Sequence, residues 1–472
     1  MHIYKQQYSS GRALIKFTTI ILAAGKGTRM KSDLPKVLHP VCGRAMIHFP
    51  IQVAESAGAS EIITVIGHGA ESVKDELSDK KVSFVTQEEQ LGTGHAVMVC
   101  KDAVSDKSLP IVILCGDVPL FTKSTLEGFV QSHMTEKNSV TVLSAEVADP
   151  NGYGRIIKDG DEILKIVEEK DASTEEKQIR EINSGIYCVS GDFLFEALDR
   201  VGNINAQGEY YLTDIIKIGR EMGRRVGWTT INDNLEIMGV NSRKDLAIAE
   251  KAMAQRVLDR LMLSGVTIKD PDNTYIDIDV NIGAGSVVYP QVSLESGCSV
   301  GKDCIIETGT VIKDSLISDR SHIKPYCVIT GAKLGEDTTV GPFAHLRPGA
   351  VLKNAAKAGN FVEIKKATIG EGSKVSHLSY IGDADIGSGV NVGAGTITCN
   401  YDGKNKFQTV IEDGAFIGSG TNLVAPVRVG SGSIIGAGST ITKDVPPEAL
   451  SLTRTEQKTL PDWTKKKNKE AK

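Results

Sequence analysis

Tryptophan is almost missing from this chain: there are two among 472 residues, against 48 glycines. That imbalance points to a turn-rich repeat. Long apolar runs are missing too. No stretch of 18 hydrophobic residues occurs although 40% of the chain is hydrophobic, so no transmembrane helix is expected. The first seventeen residues lack the continuous apolar core of a secretory signal, and 1–17 reads as a loose extension. Neither sign of charge dominates. With 54 Lys+Arg and 59 Asp+Glu the net charge is −5, which gives no reason to expect nucleic acid or an acidic membrane as partner. None of the eight cysteines forms a CxxC pair, and so long a chain needs no disulfide staples. Reduced thiols in a cytoplasmic protein are the expectation.

The length predicts two or three domains. From about Thr18 to Asn241, short aliphatic runs alternate with helix-like stretches. Thr19–Ala24, Glu61–Ile66 and Ile111–Leu114 read as buried strands, and Met46–Ala57 and Gly92–Val104 as helices. This alternation predicts an α/β domain over 18–241 with a mostly parallel sheet covered on both faces. Ligands then collect at the carboxyl ends of strands, which directs attention to the loops after Ala24 and Leu114. Residues 242–265 read as a helical linker: Leu246, Met253, Val257 and Leu261 share one helical face, and Gly265 is a stop.

Beyond it the period is six. Ile276, Ile282, Val288, Leu294, Val300, Ile306 and Ile312 form one run, and Ile411, Ile417, Leu423, Val429, Ile435 and Ile441 another. Neither a 3.6-residue helix nor an ordinary long strand has this spacing; a β-helix does, over 266–454. Asn400–Gln408 breaks the repeat and predicts an inserted loop on one face. The lysine-rich 455–472 reads as a frayed, solvated tail.

Candidate chemistry lies in both halves. In Leu22-Ala-Ala-Gly-Lys-Gly-Thr-Arg29 the glycines permit close backbone approach to phosphates, while Lys26 and Arg29 add positive charge. The pattern is neither GxxxxGK[ST] nor GxGxxG, and a tight turn with solvated cations is the competing reading. Gln87 and Gln90-Leu-Gly-Thr-Gly-His95 offer amides for a base edge and a glycine for stacking, against a plain helix cap at Thr93. Asp117, in Cys115-Gly-Asp-Val-Pro119, is a candidate Mg²⁺ ligand or else a helix cap. In the second half Arg347, Glu363, Lys365, His377 and Tyr380 interrupt the aliphatic repeat. Acetyl transfer to an amine needs a proton acceptor such as His377, and Arg347 and Lys365 suit a sugar phosphate. A silent trimerisation platform is the competing reading of such a solenoid.

Together the first motifs, with Leu34-Pro-Lys36, resemble the sugar-phosphate nucleotidyltransferase family. Gly152-Tyr-Gly-Arg155, Glu181-Ile-Asn-Ser-Gly185, Gln207-Gly-Glu-Tyr-Tyr-Leu-Thr-Asp214 and Gly239-Val-Asn241 narrow the likeness. They resemble the uridyltransferase half of the bifunctional N-acetylglucosamine-1-phosphate uridyltransferase/glucosamine-1-phosphate acetyltransferase family. Phe343-Ala-His-Leu-Arg-Pro-Gly349, Asn360-Phe-Val-Glu-Ile-Lys-Lys366 and Ser376-His-Leu-Ser-Tyr-Ile-Gly382 resemble its acetyltransferase half.

The resemblance implies a Rossmann-like nucleotidyltransferase domain followed by a left-handed β-helix, assembled as a homotrimer. It implies synthesis of UDP-N-acetylglucosamine, by acetyl transfer from acetyl-CoA to glucosamine 1-phosphate and then Mg²⁺-dependent uridylyl transfer from UTP. Leu22, Ala23, Ala24, Gly25, Lys36, Gln87, Gly92, Thr93, Gly154, Glu168, Asn183 and Asn241 would bind the nucleotide and its sugar, and Asp117 and Asn241 Mg²⁺. His377 would be the general base, with Arg347, Lys365, Tyr380 and Asn391 on glucosamine 1-phosphate. Asn400, Tyr401, Ser419, Ala437 and Arg454 would meet acetyl-CoA or the oxyanion. Two departures stand out: Cys115 where the family commonly has Tyr, and Val375-Ser376 where it often has Ala-Gly. A pyrophosphorylase for another nucleotide sugar, or a non-enzymatic scaffold, would lack the His377–Lys365 cluster or Asp117 respectively; both are present.

Overall fold

The computed structural model describes residues 15–470. Contacts divide the chain into two compact units inside one long helix, between Met253 and Ala254.

The first unit holds the strands β1 (Phe17–Leu22), β2 (Pro40–Val41), β3 (Arg44–Ala45), β4 (Ala59–Ile66), β5 (Ser83–Thr86), β6 (Pro110–Cys115), β7 (Val140–Glu146), β8 (Arg155–Asp159), β9 (Glu162–Val167), β10 (Glu181–Ser190) and β11 (Val226–Ile231). Its helices are α1 (His48–Ala57), α2 (Ala70–Glu76), α3 (Thr93–Met98), α4 (Lys123–Glu136), α5 (Gly191–Leu198) and α6 (Asp214–Glu221), with α7 (Arg243–Leu263) reaching into the second unit. The main sheet runs β11-β7-β10-β6-β1-β4-β5, and β8 and β9 extend from β10. Along this path it is the expected mostly parallel sheet except at β10, which lies antiparallel to both β6 and β7; β8 in turn is antiparallel to β10 and β9.

Alternating side chains of the central strands enter two different cores. Ile20, Ile63, Ile111 and Ile113 point into one, and Ile21, Ile62, Val112 and Leu114 into the other. Side chains alternate across a strand, so wholly aliphatic strands require cover on both faces.

Some boundaries differ from expectation. β1 begins at Phe17, which is 1% exposed, so this residue belongs to the sheet and not to the extension. Residues 1–14 of that extension lie outside the described residues. The helix expected over Gly92–Val104 ends at Met98 and continues as turns.

The second unit is a parallel β-helix, consistent with the left-handed form. Its strands form sheets of 11 and 17 strands, and most strands pair with the third one along, which gives three faces; between Val351 and Ile397, where some strands are longer, pairing is also with the second one along. Ile276 pairs with Leu294, Ile282 with Val300, and Val288 with Ile306. All six point inward with at most 7% exposure. No single coil buries much area, so stacking supplies the stability. The inserted loop is a short hairpin: Tyr401 bridges Lys406, and Phe407 N–H donates to Asn400 O at 2.8 Å. The tail side chains 455–467 are exposed as expected, but the chain closes in a helix, α8 (Trp463–Glu470). Among the described residues no helix is long and apolar enough to cross a membrane. All eight cysteines are free thiols.

Candidate functional sites

In the first unit β1 and β6 are parallel neighbours with Leu22 opposite Cys115, so their following loops leave the sheet side by side. Gly116 N–H donates to Leu22 O, and Ala23 N–H to Val65 O, both at 2.9 Å. Gly25 has open space where a Cβ would stand, which leaves room for a ligand. Gly27 has φ +58°, and a Cβ there would lie 2.7 Å from Lys36 Cβ. That turn seats Lys36 beside Asp117.

Lys36 Nζ is ion-paired with the Asp117 carboxylate and donates to Asn241 Oδ1 at 3.2 Å. Arg29 donates to the same Asn241 oxygen at 2.9 Å. Val240 N–H to Asp117 O, at 2.9 Å, ties the 239–241 loop to the end of β6. Three predicted residues from distant parts of the chain therefore meet. Asp117 is no helix cap, because Thr122 caps α4.

Gln87 donates to Gly92 O at 3.1 Å, with His95 Nδ1 also at 3.1 Å. Gly92 has φ +107°, and a Cβ would lie 2.6 Å from Tyr210 O, so only glycine fits. Gly92 is also the cap of α3, and Thr93 instead accepts from Leu212 N–H at 3.3 Å. Ala24 reaches this loop through Gly67, where a Cβ would lie 3.0 Å from Ala24 O and 3.2 Å from Gln90 Nε2.

The remaining predicted residues gather around β10. Asn183 N–H donates to Gly154 O at 2.9 Å, and Glu168 would be 3.5 Å from a Cβ on Gly154. Burial raises the Glu168 carboxyl above its ordinary range, against a hydrogen bond from Thr213 at 3.3 Å. Cys115 Sγ lies 3.7 Å from Gly185 O, and burial pushes its thiol up to about 12, which keeps it protonated. Thr213 and Tyr210 lie in the Gln207–Asp214 motif, but sequence reasoning assigned neither a role, because their contacts with Glu168 and Gly92 join parts of the chain far apart in sequence.

The second site follows a column in the β-helix. Leu378 N–H donates to Asn360 O, Gly395 to His377 O, Gly420 to Ala394 O and Gly438 to Ser419 O. His377, Ser419 and Ala437 thus occupy one register position on successive coils, with Ala394 between His377 and Ser419. Tyr380 follows the same corner as His377 and pairs with Glu363. Arg347 donates to Glu363 Oε1 at 2.8 Å. Lys365 lies 3.9 Å from Asp383 Oδ2, and the same oxygen accepts from Asn400 Nδ2.

Asp383 was not foreseen; a lone aspartate after Ile381-Gly382 carries no pattern. Asn391 is in register with Lys374 and Phe416, the level of the neighbouring strand's first residue, whereas the column runs through that strand's last residue, His377. Tyr401 is 58% exposed, with its hydroxyl donating to Gly403 O at 2.6 Å. Arg454 follows the last strand of the β-helix, and its guanidinium would lie 3.4 Å from a Cβ on Gly436.

Comparison with known proteins matches residues 18–233 to the Nucleotidyl transferase family. Residues 275–313 match the hexapeptide repeat of succinyl-transferase, and 408–443 the bacterial transferase hexapeptide. The bifunctional protein GlmU of Syntrophotalea carbinolica is 53% identical, across 95% of this chain and 97% of that protein. Its counterpart in Clostridioides difficile is 50% identical across 96% and 98%. That of Halalkalibacterium halodurans is 48% identical across 95% and 98%. Each likeness runs through both units at nearly full length, and the chain belongs to the family of the bifunctional GlmU proteins.

Proposed function

We propose that this chain makes UDP-N-acetylglucosamine in two steps, acetylating glucosamine 1-phosphate in the β-helix unit and uridylylating the product in the α/β unit. The uridylyltransferase activity belongs to the unit that ends at Met253 and the acetyltransferase activity to the unit that begins at Ala254. One observation carries the reading: each unit holds its own set of polar and charged side chains, Lys36, Asp117 and Asn241 joined in one and the pairs Arg347–Glu363, Lys365–Asp383 and His377–Asn360 on neighbouring coils of the other.

In acetyl transfer the sugar amine attacks the thioester carbonyl. The N–C bond forms, the C–S bond breaks, and coenzyme A leaves as the thiol after taking up a proton. His377 removes the amine proton, a role that the lone pair of a neutral imidazole nitrogen is suited to. Arg347 and Lys365 hold the sugar phosphate, with Tyr380 and Asn391 on the sugar. Asn400, Tyr401, Ser419, Ala437 and Arg454 line acetyl-CoA and offer donors to the oxyanion.

In uridylyl transfer an oxygen of the sugar phosphate attacks the α-phosphorus of UTP and pyrophosphate departs. No protein nucleophile is needed, so positioning and charge neutralisation carry the rate. Leu22 to Gly25 and Lys36 hold the phosphates. Gln87, Gly92 and Thr93 meet the uridine, and Gly154, Glu168 and Asn183 the sugar.

The oxygens of Asp117 and Asn241 converge on one cationic group, the Lys36 ammonium. A hard, oxygen-ligated cation suits that donor pair, and Mg²⁺ takes only one or two protein groups besides substrate phosphate. When bound there, Mg²⁺ would neutralise charge on the triphosphate. Lys36 would then be released to a phosphate oxygen.

A homotrimer in the cytoplasm completes the proposal. The stack of Tyr326, Phe343 and Phe361, with centroids 5.3 Å apart and each ring about half exposed, is a surface that a second copy would cover. Light scattering of the pure protein should give three times the chain mass.

The decisive assay supplies glucosamine 1-phosphate, acetyl-CoA, UTP and Mg²⁺ and follows free thiol and pyrophosphate. His377→Ala should lower thiol release by about 100-fold or more and spare uridylyl transfer to N-acetylglucosamine 1-phosphate. Asp117→Ala should do the reverse, on the order of 100-fold. Wild-type protein releasing neither product would refute the proposal.

A further inference from the structure

Asn360 stands one coil from His377. The two residues pair across parallel strands, and the Leu378 N–H bond to Asn360 O, at 3.0 Å, holds the register. The coils approach closely here because residue 359 is glycine; a Cβ there would collide with the Ser376 carbonyl. Matched positions on neighbouring strands are about 4.8 Å apart, close enough for short side chains to touch. Asn360 Oδ1 lies 2.5 Å from His377 Nδ1. Among the described residues no other side chain hydrogen-bonds the ring, and His377 is exposed, so Nε2 faces no protein partner.

An amide oxygen only accepts. Facing Nδ1, it requires that nitrogen to carry the proton and leaves the lone pair on Nε2. A neutral imidazole can take a proton only at the nitrogen that has none. Resting on the proposed role of His377 as base, the geometry points to Asn360 as a positioning residue that fixes the His377 tautomer with Nε2 as the basic atom. The opposite amide orientation would present NH₂ to Nδ1 and place the proton on Nε2, disabling the base. Which end of the amide faces the ring therefore decides whether His377 is competent.

The test is the nitrogen-15 spectrum of the His377 ring in full-length protein, at a pH where the ring is neutral. Wild type should show Nδ1 protonated. Asn360→Leu, which cannot accept, should move the ring toward the Nε2–H form that solvated histidine prefers. It should also lower kcat for acetyl transfer by about 10- to 100-fold with little change in KM for glucosamine 1-phosphate.

Asn360→Asp keeps the acceptor oxygen and should restore both the tautomer and most of kcat. Uridylyl transfer, unchanged in both variants, would certify sound protein. An Nε2–H ring in wild type, or an unaltered tautomer in Asn360→Leu, would overturn the positioning role while leaving His377→Ala free to test the base. A fully active His377→Ala would sink the base assignment itself and the positioning role with it.

Discussion

His133 is buried on α4, 2% exposed, with its Nδ1 2.8 Å from the Thr141 hydroxyl. Asn138 donates to that hydroxyl oxygen at 3.1 Å, so the hydroxyl proton is free to point at the ring, which suits a neutral imidazole. Burial takes the His133 pKa from 6.5 down to about 4, outweighing the opposite pull of Glu136. Between those two values the unfolded chain binds a proton that the folded chain excludes. Stability therefore rises with pH through this window and falls on acidification. Moving from pH 7 to pH 5 should cost about 2 kcal/mol from this group alone. Urea midpoints of wild type and His133→Gln at the two pH values measure it. The variant should lose that much less on acidification, and equal losses would show that His133 already titrates normally in the fold.

Coil stacking makes an equally definite demand at the level of the element. Since the Ser376 carbonyl occupies the space beside Gly359, Gly359→Ala must push two coils apart. Overpacking of this kind costs about 2 kcal/mol. Denaturant unfolding of the β-helix should register that loss, and acetyl transfer should fall because the Asn360–His377 contact sits at the same step. Uridylyl transfer should stay level; a drop in both would argue for general unfolding.

The same stacking explains how legible this unit was. Ile276, Ile282 and Val288 each face inward on a different side of one coil, so burial writes a six-residue period directly into the chain. The pattern faded between the two clean runs where coils shorten: Val300 pairs with Ile317, one position short of the regular period. In the α/β unit the aliphatic strands were readable, but the reversed direction of β10 was not, since an antiparallel strand buried on both faces looks like a parallel one. Motif chemistry marked Lys36, Asp117, Asn241, Arg347, Lys365 and His377. It did not mark Asn360 as the partner of His377, or Asp383 as the shared partner of Lys365 and Asn400. Those pairings come from coil register, which a single chain does not display.

At the scale of the whole molecule the central feature is α7. Its first half belongs to the α/β unit: Arg243 donates to Met30 O at 3.3 Å, and Cys42 N–H donates to Glu250 at 2.9 Å. Its second half caps the β-helix, with Val257, Leu258 and Leu261 in that unit's core. The region expected to be a linker is therefore split between two units, each with its own core and its own charged cluster. Gln255, exposed between the two halves, is the place to ask whether the sites depend on a continuous helix. Gln255→Pro removes one backbone hydrogen bond and clashes with the preceding turn, at a cost of about 3 kcal/mol of helix stability. If each unit is anchored by its own core, the variant should release coenzyme A and pyrophosphate at rates close to wild type. Calorimetry should show the loss confined to the lower-melting transition. A parallel fall in both activities in folded protein would instead mean that the helix couples the two sites, and the assignment of two self-sufficient pockets would have to be abandoned.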